Sequence, residues 1–563
     1  MTDQDNKAIS RRNWLGVMGK VSLGTGLMAV ASNTRGFEHL AQVKATGNDI
    51  GVRTYNIRDF GAKGDGKSLD TAAVQAAIDT CNKEQGGTVL VPAGVFVIGT
   101  VELKSNVTLH IAAQGKLLGS ADGKQYHASD AIPLDIGWTM NDGNVGLIFA
   151  VNADNITIEG NGIIDGQGAQ FRSDTKGVLP PAGITGNHRP YHLLFYQCKN
   201  LTVRNISLIN SAYHSVRVCL CSYVKMDGLF IRGKVIHNND GFHFIGSSYV
   251  HVTNCDVQCQ DDACALFGSC KFVTVSDCSF STRWSVFRFG GGEAENITVS
   301  NCLIYETYGC PIKMRCSPGS RFENISFSNL VMRDVTGPIS IGLGTEKSSV
   351  NKTVDTPGII RNISFNNIQA TVVKPVPLRD AEFASKYNPG EIFSCITLNA
   401  MDDVFLENIS FNNVHVTFPG GGTTEQAGVR DVPKVAGEYY QIGIPPAYGM
   451  YARNVRGLSL QNIRFAMASP DLRPALIMDN VEDVTVNSLS AQGQKGAESL
   501  LRFINTRDVL ISALRVLTPV TNLLQAEGKA CANIKIEGGD ISKADKALVL
   551  TAGASGQAVR LRE

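Results

Sequence analysis

The chain has 563 residues, of which 43% are hydrophobic and 18% charged, with 57 glycines and a formal net charge of +1. That composition belongs to an ordered, turn-rich protein and not to a disordered one. The 52 basic and 51 acidic residues are interspersed, so no basic stripe suggests a nucleic-acid partner.

The N-terminus reads as a targeting signal. Arg11 and Arg12 precede a weakly apolar run from Val17 to Ala31, which ends in the small residues Ala29-Val30-Ala31. This pattern resembles a twin-arginine export signal, and Lys20 makes the run a poor membrane span. Expected boundaries are a signal peptide at 1–31, a linker at 32–52, an N-terminal cap with the first coils at 53–120, a β-helix catalytic domain at 121–553 and a C-terminal tail at 554–563. A monomer exported to the periplasm or outside the cell is expected, with no membrane contact in the mature form.

After the linker, Asp70-Thr-Ala-Ala-Val-Gln-Ala-Ala-Ile-Asp predicts a short amphipathic helix capped by Ser68 or Asp70. Its expected place is over the open N-terminal end of the fold. A short alternating segment then recurs. Copies begin at Asn155, Asn200, Tyr223, Tyr249, Phe272, Asn296 and Asn324, and later ones at Asn362, Asn408, Gly457, Asp483, Asp508 and Asn533. Where consecutive copies are not separated by an insert, they lie 23 to 28 residues apart. Period-2 alternation at that spacing requires stacked β-coils, whereas a propeller blade needs roughly 40 to 50 residues. Five residues after the start of a copy stand Asn205, Asn254, Asp277, Asn301, Asn329, Asn367, Asn413 and Asn462. One further on come apolar residues, among them Cys255, Cys278 and Cys302. The fold class is therefore all-β, a parallel β-helix with a short N-terminal capping helix. The fourteen cysteines show no paired zinc spacing and are expected to be reduced core residues. Wider gaps at 155–200, 324–362, 362–408 and 408–457 mark inserted loops of the kind that wall a groove.

Counting back from the next copy compares positions on successive coils. Nine residues before it stand His214, Asp240, Ala263, Phe287 and Arg315; eleven before it stand Ala212, Asn238, Asp261, Ser285 and Lys313. This count predicts one patch of Asp240, Asp261, His214, Lys313 and Arg315. Asp240 and Asp261 would be on the order of 8 Å apart, with Asp262 turned away unless a bulge intervenes. Such a separation suits two carboxyl groups that flank a scissile bond with room for a water. Trp284 and Phe287 are candidates to stack on a sugar ring, or to pack beneath a loop.

These residues also carry a resemblance. Asn238-Asn-Asp240-Gly, Gln260-Asp261-Asp262 and Ile312-Lys313 resemble the Asn-x-Asp, Asp-Asp and Arg-Ile-Lys motifs of family 28 glycoside hydrolases, the polygalacturonase family. Arg189-Pro190, Asn210-Ser211 and the Asp59-Phe-Gly-Ala-Lys-Gly-Asp-Gly66 segment are similar too, and the likeness runs from about Tyr55 to about Val486. It implies a right-handed parallel β-helix and hydrolysis with inversion of a uronate-containing, pectic-type polysaccharide, with Asp261 as general acid and Asp240 with Asp262 holding the water. Lys313, Arg315, His214, Asn238 and Trp284 are the expected substrate contacts, and no cofactor or metal is implied. Two departures stand out: Trp284 occupies the place of the family's active-site histidine, and Pro311 that of the arginine in Arg-Ile-Lys. Two alternatives stay open, a calcium-dependent polysaccharide lyase with Lys313 or Arg315 as base, and a non-catalytic glycan-binding β-helix.

Overall fold

The computed structural model describes residues 52–129, 131–132, 145–171, 189–344, 356–379, 387–401, 404–434 and 439–562. The expected export signal, with Arg11 and Arg12, lies outside them.

One coil shows how the chain builds the fold. The strands Phe242–Ile245, Ser248–Thr253 and Asp256–Cys259 follow one another round the coil. Each pairs in parallel with its counterpart in the next, at Cys264–Phe267, Cys270–Ser276 and Ser279–Thr282. The three paired columns are three sheets of one solenoid. From Glu293 onward the second and third strands run together as single long strands such as Glu293–Thr307 and Arg321–Val335. Pairing continues to residue 562, where Val559–Arg562 pairs with Ala532–Asp540.

The recurring asparagines sit where the backbone turns left-handed. Asn254, Asn301, Asn329, Asn367 and Asn413 all have φ of 53° to 55°, a region that a short polar side chain tolerates best. Their amides form a ladder: Asn329 donates to Asn301 at 3.0 Å, Asn367 to Asn329 at 3.0 Å and Asn413 to Asn367 at 2.9 Å. A second ladder joins Asn324, Asn362 and Asn408 at the starts of the copies. It is replaced over three coils by Tyr223, Tyr249 and Phe272, equally left-handed at φ 55° to 58°, with rings stacked 4.9 and 5.0 Å apart. Ring stacking, about 0.5–1.5 kcal/mol per pair, offsets part of the cost of placing a bulky residue there.

Inward-facing positions stack into one dry core, in which Phe327, Phe365 and Phe411 lie 5.2 and 4.8 Å apart. All fourteen cysteines are buried, and none forms a disulfide among the described residues. The backbone N–H of Cys255 donates to Cys278 Sγ at 3.3 Å, as the repeated position requires. The predicted helix forms at Thr71–Lys83 and buries Val74, Ala77, Ile78 and Cys81 against the first strands. Its capping differs from the expectation. Asp70 holds the N-cap position, but its carboxylate accepts from the Lys63 and Gly64 backbone N–H groups, and Ser68 bonds Asp65. The preceding loop binds the carboxylate first.

Candidate active site

The first strand of each coil presents the candidate residues, and its register corrects the count made from sequence. Val216, Phe242, Cys264, Phe287 and Ile312 are paired neighbours. The residues two before them, His214, Asp240, Asp262, Ser285 and Cys310, therefore form one column. Asp262 stacks on Asp240 with no bulge, and Asp261 is offset from Asp240 by one coil and a single residue. That places the two backbones on the order of 6 Å apart and not 8 Å. The count failed because the connecting turns lengthen. Nine residues separate Asp240 from Tyr249, but ten separate Asp262 from Phe272, eleven Ser285 from Asn296 and fourteen Cys310 from Asn324.

Arg315 moves for the same reason. It pairs with Gly290 and Gly342, while Lys313 pairs with Arg288. Arg315 thus lies five positions beyond the acid column, about 16 Å along the strand, and outside the predicted patch. Phe287 is fully buried in the core, as inward alternation at that register demands, and cannot meet a sugar.

The three acids have different surroundings. Asp240 is buried; its Oδ2 lies 2.6 Å from His243 Nδ1 and its Oδ1 3.6 Å from His214 Nε2. Burial, then the charge of Asp262, push the Asp240 carboxyl well above the usual range, with Arg217 and Arg189 opposing. Burial holds His243 down to about 3 and His214 well below its ordinary value. His243 Nδ1 is within hydrogen-bond distance of Asp240, and His214 Nε2 stands just beyond it. Asp261 is half-buried; Asn238 Nδ2 donates to its Oδ2 at 3.4 Å and the Asp262 backbone N–H to its Oδ1 at 2.9 Å. Burial, then Asp240 and Asp262, raise Asp261 well above the usual range, while Lys313 opposes. Asp262 accepts from the Ser285 hydroxyl, and Arg288 Nε stands 4.0 Å from its Oδ2. The three carboxyl groups, on two adjacent coils, thus have three different sets of partners.

Trp284 begins the next coil beside Asp261, half-buried, with Lys313 Nζ 4.4 Å and the Arg283 guanidinium 5.0 Å from its ring. Arg283 also pairs with Glu391 at 3.2 Å and lies over Tyr387 at 4.2 Å. Both partners belong to the insert that follows the strand Ile359–Val372, so this insert walls one side of the site. His243 and Arg288 were missed in the sequence. Arg288 left a signal, as the one cation in the apolar strand Ser285–Gly290; His243 left little beyond its place three residues after Asp240.

His214, Asp240 and His243 offer ligand atoms within 4.8 Å of one another. The two rings are stacked, 4.5 Å apart and 24° from parallel, so their in-plane lone pairs do not converge on one ion, and Arg217 stands beside them. The trio suits hydrogen bonding better than a cation. A cavity of about 590 Å³ lined by Asn362, Ser364, Asn408 and Ser410 lies elsewhere and includes none of the acids.

The family described as glycosyl hydrolases family 28 matches this chain over residues 81–381. The chain belongs to that family. It is a glycoside hydrolase, and its residues 81–381 span the whole acid column. Among its relatives, an exopolygalacturonase of Platanus acerifolia is 27% identical over 328 residues, covering 56% of this chain and 82% of the relative. Two solved structures share the fold, the right-handed parallel β-helix. A hyperthermoactive exopolygalacturonase from Thermotoga maritima has a TM-score of 0.54 at 18% identity, covering 74% of this chain and 93% of that one. A family 28 exopolygalacturonase of Yersinia enterocolitica has a TM-score of 0.56 at 19% identity, covering 77% and 78%.

The raised Asp261 value has a consequence for stability. A carboxyl whose folded value exceeds its unfolded value stabilises the fold below the unfolded value and loses that contribution as pH rises through the folded one. Asp261→Asn, which stays neutral, is therefore expected to gain in melting temperature relative to wild type as pH is raised above 3.8, the ordinary value, and to match it below. Melting curves across pH check this, and a gap that shrinks with rising pH contradicts it.

Proposed function

We propose that this family 28 hydrolase cleaves a glycosidic bond next to a uronate in a pectic chain, with inversion at the anomeric carbon. The observation that carries the reading is the acid cluster, Asp240 and Asp262 stacked in one column with Asp261 beside them and Lys313 and Arg288 nearby. Asp261, kept protonated by burial and its acidic neighbours, gives its proton to the leaving oxygen. Asp240 and Asp262 hold the water that attacks from the opposite side, Asp262 being the carboxylate that Ser285 and Arg288 stabilise. His243 and His214 orient Asp240, and Asn238 orients Asp261. Trp284 sets the position of Lys313. The names of the relatives, exopolygalacturonases among them, support a uronate substrate.

Pectic oligosaccharides incubated with the mature protein, with and without chelator, test the reading. New reducing ends that survive chelation are expected. Unsaturated ends would make the protein a lyase, and binding without products a glycan-binding module.

Arg315, half-buried and two residues beyond Lys313 on the same face, is the outlying cation for a substrate carboxylate. Arg315→Ala is expected to lower kcat/KM on a charged chain by roughly 10- to 100-fold, the worth of a hydrogen bond to a charged group. Its methyl-esterified analogue should change far less, and equal losses on both would remove the contact.

Export by the twin-arginine route completes the proposal. Replacing Arg11 and Arg12 by Lys should leave the precursor in the cytoplasm on fractionation; unchanged appearance of the mature form outside would remove the assignment.

A further inference from the structure

The outward face of the first sheet can be followed coil by coil through two columns. One runs Phe149, Leu194, Arg217, His243, Ala265, Arg288, Lys313, Ser340, Thr397, Tyr451, Ile477, Arg502. The other, two residues further along each strand, runs Tyr196, Cys219, Ile245, Phe267, Gly290, Arg315, Gly342, Asn399, Arg453, Asp479, Ile504, Glu527. A polysaccharide cut in mid-chain needs this face open along the solenoid on both sides of the acids. It is open on neither.

On the C-terminal side the protein lays its own chain along the face. Asn399 donates to the Pro433 carbonyl at 2.9 Å, and Arg453 to the carbonyls of Val432 and Pro433. Arg502 donates to Ala427 and Val429, while Arg430 pairs with Glu527 and Glu498. Residues 427–433 therefore run lengthwise, against the direction of coil growth, from the Arg502 coil back to the Asn399 coil, and the Arg430 side chain reaches on to Glu527. Those coils are three steps apart, about 14 Å, and residues 429–433, which follow the helix Thr424–Ala427 and its cap Gly428, span about that length when extended. Asn399, Arg453, Arg502 and Glu527 are buried beneath it.

On the N-terminal side the face is apolar and covered. Phe149, Leu194, Tyr196, Cys219 and Ile245 are buried with Ile132 in a cluster separate from the main core. Between the two covers, half-exposed side chains of the second column remain at Phe267 and Arg315, and the stretch from Phe267 to Gly342 spans three coil steps, about 14 Å. Asp261 and Asp262 precede the strand that ends at Phe267, at the N-terminal end of this stretch, and Asp240 stands on the coil before them.

We propose that the site admits a chain end or a short oligosaccharide and not the interior of a polymer, and that residues 427–433, clamped by Arg430, Arg453 and Arg502, are the stop on one side. The inference rests on the hydrolase reading above and adds the length of substrate it takes. Buried arginine-to-carbonyl bonds make the stop a fixed part of the fold, because releasing it would take from Arg453 and Arg502 the carbonyl acceptors that residues 427–433 supply.

Polygalacturonate is the probe, with viscosity, reducing ends and product length followed together. New reducing ends without unsaturated ends support the hydrolase reading, so product length tests the stop separately. Wild type is expected to release the shortest products from the first sample while viscosity falls slowly for each bond cut. Fragments of intermediate length at the outset, with an early loss of viscosity, would overturn the proposal even with hydrolysis intact. Arg430→Ala/Arg453→Ala, which loosens the clamp, is expected to begin producing intermediate fragments. If that variant folds, by circular dichroism, and keeps the short-product pattern, residues 427–433 are not the stop; the wild-type product pattern decides the chain-end reading whether or not the variant folds.

Discussion

Asp261→Asn is expected to lower kcat by roughly 100- to 10,000-fold, the range spanned by general acid catalysis, while leaving the fold in place. Asn keeps the shape and can still accept from the Asp262 backbone N–H through its one carbonyl oxygen, its NH2 replacing the oxygen that accepts from Asn238, but it has no acidic proton to give. Substrates with a better leaving group should recover much of the loss, since they need less protonation. The check is kcat on a natural uronate oligosaccharide against one with an activated aryl leaving group. Full activity of Asp261→Asn on both would remove the residue from the acid role.

The second large effect concerns the pair that stacks across one coil step. Asp240→Asn and Asp262→Asn should each cost a loss comparable to that of Asp261→Asn. The double variant should lose far less than the product of the two, because groups that orient one water act as a unit. The surroundings also predict different by-effects. Asp240→Asn disturbs a buried contact with His243 at 2.6 Å, so His243→Ala should reproduce part of its loss. Asp262→Asn leaves Arg288 without its nearby carboxylate, and should change the affinity for a charged substrate as well as turnover. Strict additivity of the two aspartate losses would mean that the carboxylates serve separate steps.

Parts of this design are legible in the sequence because one local rule fixes them. A left-handed residue at every coil corner selects asparagine, and a core position beside it selects Ile, Val, Leu or Cys, so both columns are readable without a structure. The acids were readable as a group, because Asp240, Asp261 and Asp262 stand near one another in spacing and motif. Their register was not. It depends on turns of nine to fourteen residues between the site column and the next repeat, and a turn's length sets the stacking without leaving a periodic mark. That error displaced Arg315 toward the acids and turned Asp262 away from them. Arg288 was visible as a cation amid Val286, Phe287 and Phe289, yet nothing local distinguished it from a surface charge. The segment 427–433 was beyond local reading altogether, since its position is fixed by Arg453 and Arg502, one of them more than 70 residues away.

The central claim, that two carboxylates hold a water on one side of the bond while Asp261 protonates the other, is tested most directly by the configuration of the first product. Proton NMR, followed from the first minutes of hydrolysis before mutarotation, reads the anomeric proton of the newly formed reducing end. An α-linked uronate substrate should yield the β-anomer first, with the α-anomer appearing only as the sugar equilibrates. First appearance of the α-anomer would mean retention through a covalent intermediate, which contradicts Asp240 and Asp262 acting together on a water.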